Sequence, residues 1–140
     1  MAFNGLTIAR EPTVIWPVTV RLPDDGGTLG EHRITAYIRV YSEREYAKLV
    51  PAAAEEIAPR ALAEVLAENA RLFPRFIVDW EGVTDEAGEP VPVGQLPEII
   101  QGPYGGALSA ALWRAIAEVR FGIDASGGAT EKNSVPSPAP

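Results

Sequence analysis

Two segments near the start of the chain have the features of β-strands, and the second alternates between apolar and polar residues, which is the pattern of a strand with one buried face. The first, TVIWPVTVRL, runs from Thr13 to Leu22 and is rich in β-branched residues. The connection PDDGGTLG supplies turn residues but is longer than a tight hairpin loop. The two segments predict an N-terminal β-hairpin, in which Pro17 places the first strand at a sheet edge or at a bulge. In the second segment, EHRITAYIRVYS, four apolar residues share one face: Ile34, Ala36, Ile38 and Val40.

Helical signals follow the hairpin. Ser42 and Glu45 stand three residues apart in SEREYAKLV, which is a capping-box pattern and predicts a short first helix. Pro51 and Pro59 are typical of the first turns of successive helical segments, because the missing amide of proline is tolerated there.

A longer helix is predicted from Leu62 onward, because most apolar residues up to Trp80 are spaced by three or four positions. Pro74 should kink this helix or end it near Leu72. The stretch from Phe76 to Trp80 fits either a continuing helix or a short strand. We favour the helix, since its apolar residues stay in phase with those before them.

The last third of the chain predicts a loop, GVTDEAGEPVPVG, a short helix, QLPEIIQ, and a final helix, GPYGGALSAALWRAIAEVRFG. After Phe121 the sequence is mostly Gly, Ser, Pro and Ala, with little to bury. We therefore predict an α+β fold, with an N-terminal β-hairpin followed by a small bundle of α-helices in a single domain over residues 1-122. Residues 123-140 are predicted to form a flexible, disordered tail. The expected apolar stripe of the final helix is Tyr104, Leu108, Leu112, Ile116 and Val119.

The acidic stretch FIVDWEGVTDEAGEPVPVG is the first place to look for chemistry. Its carboxylates lack the spacing of a calcium loop, so solvated loop acids are the better interpretation. His32 begins a strand in a chain without cysteine, which favours a surface histidine over a ligand or base. No serine lies in a nucleophile-elbow pattern, and GPYGG lacks the spacing and the lysine of a phosphate loop. We predict no enzyme activity and no catalytic, cofactor-binding or metal-binding residues. The acidic residues are Asp79, Glu81, Asp85, Glu86 and Glu89.

The net charge of -7 argues against binding to nucleic acid or to anionic membranes, because both need a positive protein surface. The sequence MAFNGLTIAREP is not the pattern of a signal peptide, and the uncharged run IIQGPYGGALSAALW is too short to span a bilayer. These features, with the absence of cysteine, fit a cytoplasmic protein.

The run from Phe76 to Gly122 resembles the tail assembly chaperones of long-tailed bacteriophages and prophages. In that family an apolar helix ends in a tryptophan, and a short Gly-Val, Asp, Gly, Pro-Val-Pro segment, a short helix and a final helix follow before a polar tail. The start of those proteins also resembles ITAYIRVYSEREY, in which a strand leads into a helix. The matching positions are Trp80, Gly82, Val83, Asp85, Gly88, Pro90, Val91, Pro92, Leu96, Ile99, Ile100, Ala110, Leu112, Trp113, Lys132 and Asn133.

The resemblance implies a non-catalytic role in tail morphogenesis. Such a protein holds the long tape-measure protein before the tail tube polymerises and helps to recruit tail-tube subunits. It acts in the cytoplasm of the bacterial host and is absent from the mature virion. Neither nucleic acid nor membrane is an expected partner, and self-association is left open. Large apolar residues of the resembling segment are the candidates for partner binding, although such residues are also typical of a core. They are Phe76, Trp80, Val91, Leu108, Leu112 and Trp113.

Two other classes remain as alternatives. A structural head-tail joining or tail-terminator subunit would also combine a β-hairpin with an acidic surface, and it would assemble into a ring. A small cytoplasmic enzyme or regulator would instead be marked by a pocket with convergent polar groups.

Members of the resembled family are often made in two forms, the longer by a ribosomal frameshift near the end of the short gene. The tripeptide Glu131 to Asn133 can be encoded as GAA AAA AAC, which contains the slippery string A AAA AAC. The sequence thus raises the hypothesis of a longer second form.

Overall fold

The computed structural model describes residues 5–50 and 61–125. These residues form an α+β fold, as predicted. The predictions at Pro51 and Pro59, and that of a flexible tail beyond residue 125, lie outside the described residues. Strands β1 (Thr13–Pro23) and β2 (Leu29–Arg39) precede helices α1 (Glu43–Leu49) and α2 (Leu62–Phe76), strand β3 (Ile77–Glu81), a 3-10 turn (Val93–Gln95), α3 (Leu96–Ile100) and α4 (Gly105–Phe121).

The predicted hairpin is confirmed, and its register runs without interruption from Thr13 opposite Arg39 to Pro23 opposite Leu29. The amide of Asp24 donates to the carbonyl of Thr28 at 2.8 Å, which closes a loop wider than a two-residue turn. Among the described residues β1 pairs with β2 alone, so it is an edge strand. Pro17 is accommodated there, because an edge position leaves one side of the strand without ladder bonds.

The favoured helix from Phe76 to Trp80 is wrong. The α2 helix runs through Pro74 and ends at Phe76, so it does not end near Leu72, which was one of the two effects expected of Pro74. The chain then enters β3, which pairs antiparallel with β2 and makes a sheet of order β1-β2-β3 in the described residues.

A bulge explains the misleading pattern. The register shifts between Tyr37 and Ile38 of β2, so Ile77 and Trp80 both point into the core although two residues separate them. In a regular strand, residues three positions apart face opposite sides of the sheet. Two apolar residues at that spacing therefore indicate a helix when only the sequence is considered.

The helices cover one face of the sheet. The α4 helix packs against β1, and α2 packs against α3 and α4. The predicted inward face of β2 is confirmed for Ile34, Ala36 and Ile38, which are all buried. The stripe of α4 is confirmed at Leu108, Leu112 and Ile116, which are buried, and Val119 is half-buried. Tyr104 does not belong to it, because it precedes the helix and is 57% exposed.

Two helix ends are set by local chemistry. The capping box before α1 is confirmed, since the amide of Glu45 donates to Ser42 Oγ at 3.1 Å and the Glu45 carboxylate accepts from the Ser42 amide. The α4 helix ends at Gly122, whose φ of 71° is the left-handed conformation that glycine adopts without strain. Across residues 5–50 and 61–125, no helix is both long and apolar enough to cross a membrane.

Candidate functional site

The acidic segment after β3 folds back on itself as a small structural unit. The Trp80 indole Nε1 donates to the carbonyl of Val91 at 2.7 Å, and the Val91 amide donates to Val83 at 2.8 Å. Thr84 and Pro90 form an isolated antiparallel bridge. The two ends of the segment are therefore tied together around the tryptophan ring.

Asp85 shapes the tip of this segment. Its Oδ1 accepts from the amides of Ala87 at 2.9 Å and Glu89 at 3.0 Å, which is how an aspartate stabilises a tight turn. Asp79, Glu81 and the remaining acids of the stretch are exposed. Within the described residues no group of three or more acidic or histidine side chains converges to hold a metal ion. The only histidine, His32, is exposed on β2, as predicted.

Aromatic rings form a cluster where α1, α2 and α4 meet the sheet. The Phe76 ring packs against Tyr41, Tyr46 and Trp113, with centroids 5.4, 5.8 and 6.0 Å away. Trp113 also donates from Nε1 to Asn69 Oδ1 at 3.1 Å, so the buried amide of Asn69 has a partner. This cluster fixes α4 against α2.

The structure places most candidate partner-binding residues in the core. Phe76, Trp80, Leu108 and Leu112 are buried, with Leu112 at 0% exposure. Val91 and Trp113 are half-buried and pack against the same core. Contact between the buried four and a partner would require the helices to separate from the sheet.

The large apolar side chains that do reach the surface are different ones. Leu6 and Ile8 lie on the arm that precedes β1 and are 85% and 80% exposed. Ile15 lies on β1 and is 64% exposed, opposite Tyr37 on the sheet face that the helices leave uncovered. Sequence reasoning missed these residues. The signal for Ile15 was its position out of phase with Val18 and Val20.

Two exposed side-chain pairs have shifted pKa values. The hydrogen bond that Tyr37 Oη donates to Glu81 at 2.7 Å raises the pKa of Tyr37, because ionisation would place two negative charges together. The bidentate hydrogen bonds from Arg120 lower the pKa of Glu43, and Arg120 also stacks over the Tyr46 ring at 3.7 Å. Both pairs join neighbouring elements of the fold.

GPYGG forms the turn that leads into α4, whose first residue is Gly105. Gly105 is buried, and a Cβ on it would lie 1.7 Å from the carbonyl oxygen of Ile100. Glycine is needed because the start of α4 passes directly over the end of α3. This glycine therefore has a packing role.

Comparison of the chain with protein-family models, with curated proteins and with solved structures found no match.

Proposed function

We propose that this protein is a tail assembly chaperone of a long-tailed bacteriophage or prophage. It binds the tape-measure protein in the host cytoplasm and helps to recruit tail-tube subunits, without catalysis. The observation that carries the proposal is the ordered set of matching residues from Trp80 to Trp113. In the fold Trp80 bonds to Val91, and two further matching residues, Leu96 and Ile100, are fully buried.

Exposed apolar side chains support a partner with an apolar helical face. Leu6, Ile8 and Ile15 present exposed apolar side chains, and such side chains bind amphipathic helices by removing apolar area from water. The net charge of -7 would keep a complex with an aggregation-prone partner dispersed. The residues proposed to bind the partner are therefore Leu6 and Ile8, which precede β1, and Ile15 on β1. They replace the candidates from the sequence, most of which are buried.

Co-expression with the tape-measure protein encoded beside it tests the proposal. The chaperone should raise the soluble yield of the tape-measure protein, and the two should co-purify. The triple variant Leu6→Ser, Ile8→Ser and Ile15→Ser should lose this effect while keeping its melting temperature. Leu62→Ser is the matched control, because Leu62 is also 65% exposed but lies on α2. No complex and no gain in solubility with the true neighbour would remove the chaperone function.

One feature favours a second candidate, a head-tail joining or tail-terminator subunit. The edge strand β1 has backbone groups that could pair with another copy and build a ring. A ring of defined mass in native mass spectrometry, visible by electron microscopy without any partner, would favour this alternative. A monomer that binds the tape-measure protein would favour the chaperone.

A further inference from the structure

A cleft of about 360 Å³ lies between β1 and α4. On the strand side it is lined by Pro17, Val18 and Thr19, three consecutive residues. Consecutive side chains of a strand point to opposite faces, so a cleft that touches all three lies along the strand's edge. Because β1 pairs with β2 alone among the described residues, this edge carries backbone groups without a ladder partner.

The opposite wall is a stripe of α4 with small residues. Ala111 and Ala115 line the cleft beside Arg114 and Glu118, at the spacing of one helix face. The two alanines leave room between helix and strand edge. An extended peptide backbone is the shape that fits between an edge strand and a neighbouring helix, because it adds a strand to the sheet.

The charges of the cleft include an unmatched arginine. Arg21 NH2 lies 3.2 Å from Glu31 Oε2, and Arg114 Nε lies 3.6 Å from Glu118 Oε2. Arg33 also lines the cleft and forms no ion pair with any of the described residues. The cleft is therefore a positive site on a protein whose net charge is -7.

We propose that this cleft binds an extended, acidic peptide segment of a partner protein. The peptide backbone pairs with the outer edge of β1 at Thr19, and a carboxylate of the peptide accepts hydrogen bonds from the guanidinium of Arg33. Arg33 lies on β2, opposite Thr19 on the paired side of β1, and its side chain is one of those that line the cleft. A guanidinium presents two parallel N–H groups to one carboxylate. This inference is independent of the chaperone proposal, since it holds for any partner with such a segment.

Nuclear magnetic resonance on the full 15N-labelled chain tests it with defined probes. The first probe is an acetylated and amidated peptide of alternating valine and glutamate. The second replaces every glutamate with glutamine, and the third is free glutarate. The glutamate peptide should shift the amides of Val18, Thr19, Ala111 and Ala115, and the other two probes should bind at least about tenfold more weakly, because each lacks either the carboxylate or the backbone.

Arg33→Gln should weaken binding of the glutamate peptide about tenfold, since it removes a charged hydrogen bond. Arg44→Gln is the matched control, an equal change of charge at an exposed arginine of α1, and should leave binding unchanged. Equal binding of the glutamine peptide, equal binding of glutarate, shifts outside the cleft or no binding would each overturn the proposal. Concentration-dependent shifts of the same amides without any peptide would also overturn it, in favour of a second copy at this edge.

Discussion

The indole Nε1 of Trp16 donates a 2.8 Å hydrogen bond to Oε1 of Glu118, 102 residues along the chain. Trp16 lies on β1 and Glu118 near the end of α4, so the bond joins the first strand to the last helix of the described residues. Glu118 is only 8% exposed, and Arg114 approaches its second oxygen at 3.6 Å. A buried carboxylate costs free energy unless it is paired and hydrogen-bonded, and here it is both.

Substitutions of Glu118 should separate its charge from its hydrogen bond. Glu118→Ala leaves the Trp16 indole without an acceptor and should lower the free energy of unfolding by about 1–3 kcal/mol. Glu118→Gln should cost less, because the amide oxygen still accepts the bond. Urea denaturation measures both, with Glu86→Ala in the exposed loop as the control. A cost for Glu118→Ala no greater than that of the control would contradict the argument.

Trp80 is the second residue for which the fold predicts a large effect. Its ring is 5% exposed, and its indole holds the carbonyl of Val91. Trp80→Ala should cost about 3–5 kcal/mol because it leaves a cavity. Trp80→Phe fills much of that space but leaves the Val91 carbonyl without its donor, so we expect the free energy of unfolding to fall by about 1–3 kcal/mol. Near-wild-type stability of Trp80→Ala would mean that the ring packs outside the core.

The contrast between Trp80 and Ile34 shows what the sequence alone could predict. Ile34 lies in a strand whose alternation is regular, so its face and burial followed from local pattern. For Trp80 the sequence left a core position and a partner-binding position open, and the helix favoured for its segment is wrong. The β3 strand exists because β2 offers it an edge to pair with. The bulge in the pairing of β2 with β3 gives Ile77 and Trp80 a spacing that local sequence rules assign to a helix.

The candidate site was harder to predict for a related reason. Apolar periodicity identifies residues such as Phe76 and Leu112, but it does not distinguish a core from a docking surface. Ile15 is exposed because the helices pack on the other face of the sheet. Contacts between elements far apart in sequence decide which face is covered, and local sequence does not. The cleft beside Arg33 likewise depends on α4 packing against β1, two elements far apart in sequence.

Adjacent glycines at the start of α4 give a controlled test of the packing. A Cβ on Gly105 would lie 1.7 Å from the Ile100 carbonyl oxygen, whereas one on Gly106 meets nothing within 4 Å. Gly105→Ala should therefore cost about 1–3 kcal/mol or more through overpacking. Gly106→Ala should be neutral or stabilising by about 0.4–1 kcal/mol, because it reduces the freedom of the unfolded chain. Thermal unfolding compares them directly, and equal effects would show that α3 and α4 do not make this close approach.

The proposed function also makes a prediction about the gene. If the protein has the two forms typical of tail assembly chaperones, the codons for Glu131 to Asn133, or others nearby, should form a slippery string. An overlapping open frame should follow it. Nucleotide sequencing and mass spectrometry of the expressed products check this. Without a slippery string or a following frame, the two-form hypothesis fails and the short form remains.

The Glu43–Arg120 pair should make part of the stability depend on pH. Arg120 lowers the pKa of Glu43 from its usual 4.5, so the folded protein binds this proton less readily than the unfolded chain. The stabilisation is fully present above the unfolded pKa and is lost as pH falls through the lower folded pKa.

A double-mutant cycle of Glu43→Gln and Arg120→Gln isolates this contribution from the stacking of Arg120 on Tyr46. The coupling between the two substitutions, measured by urea denaturation, should be favourable at pH 7. It should shrink towards zero well below pH 4.5, where Glu43 is protonated in both states. The same cycle at high salt should give a smaller coupling at pH 7, because exposed charges are screened. A coupling that is equal at both pH values would show that the two side chains interact through packing and not through charge.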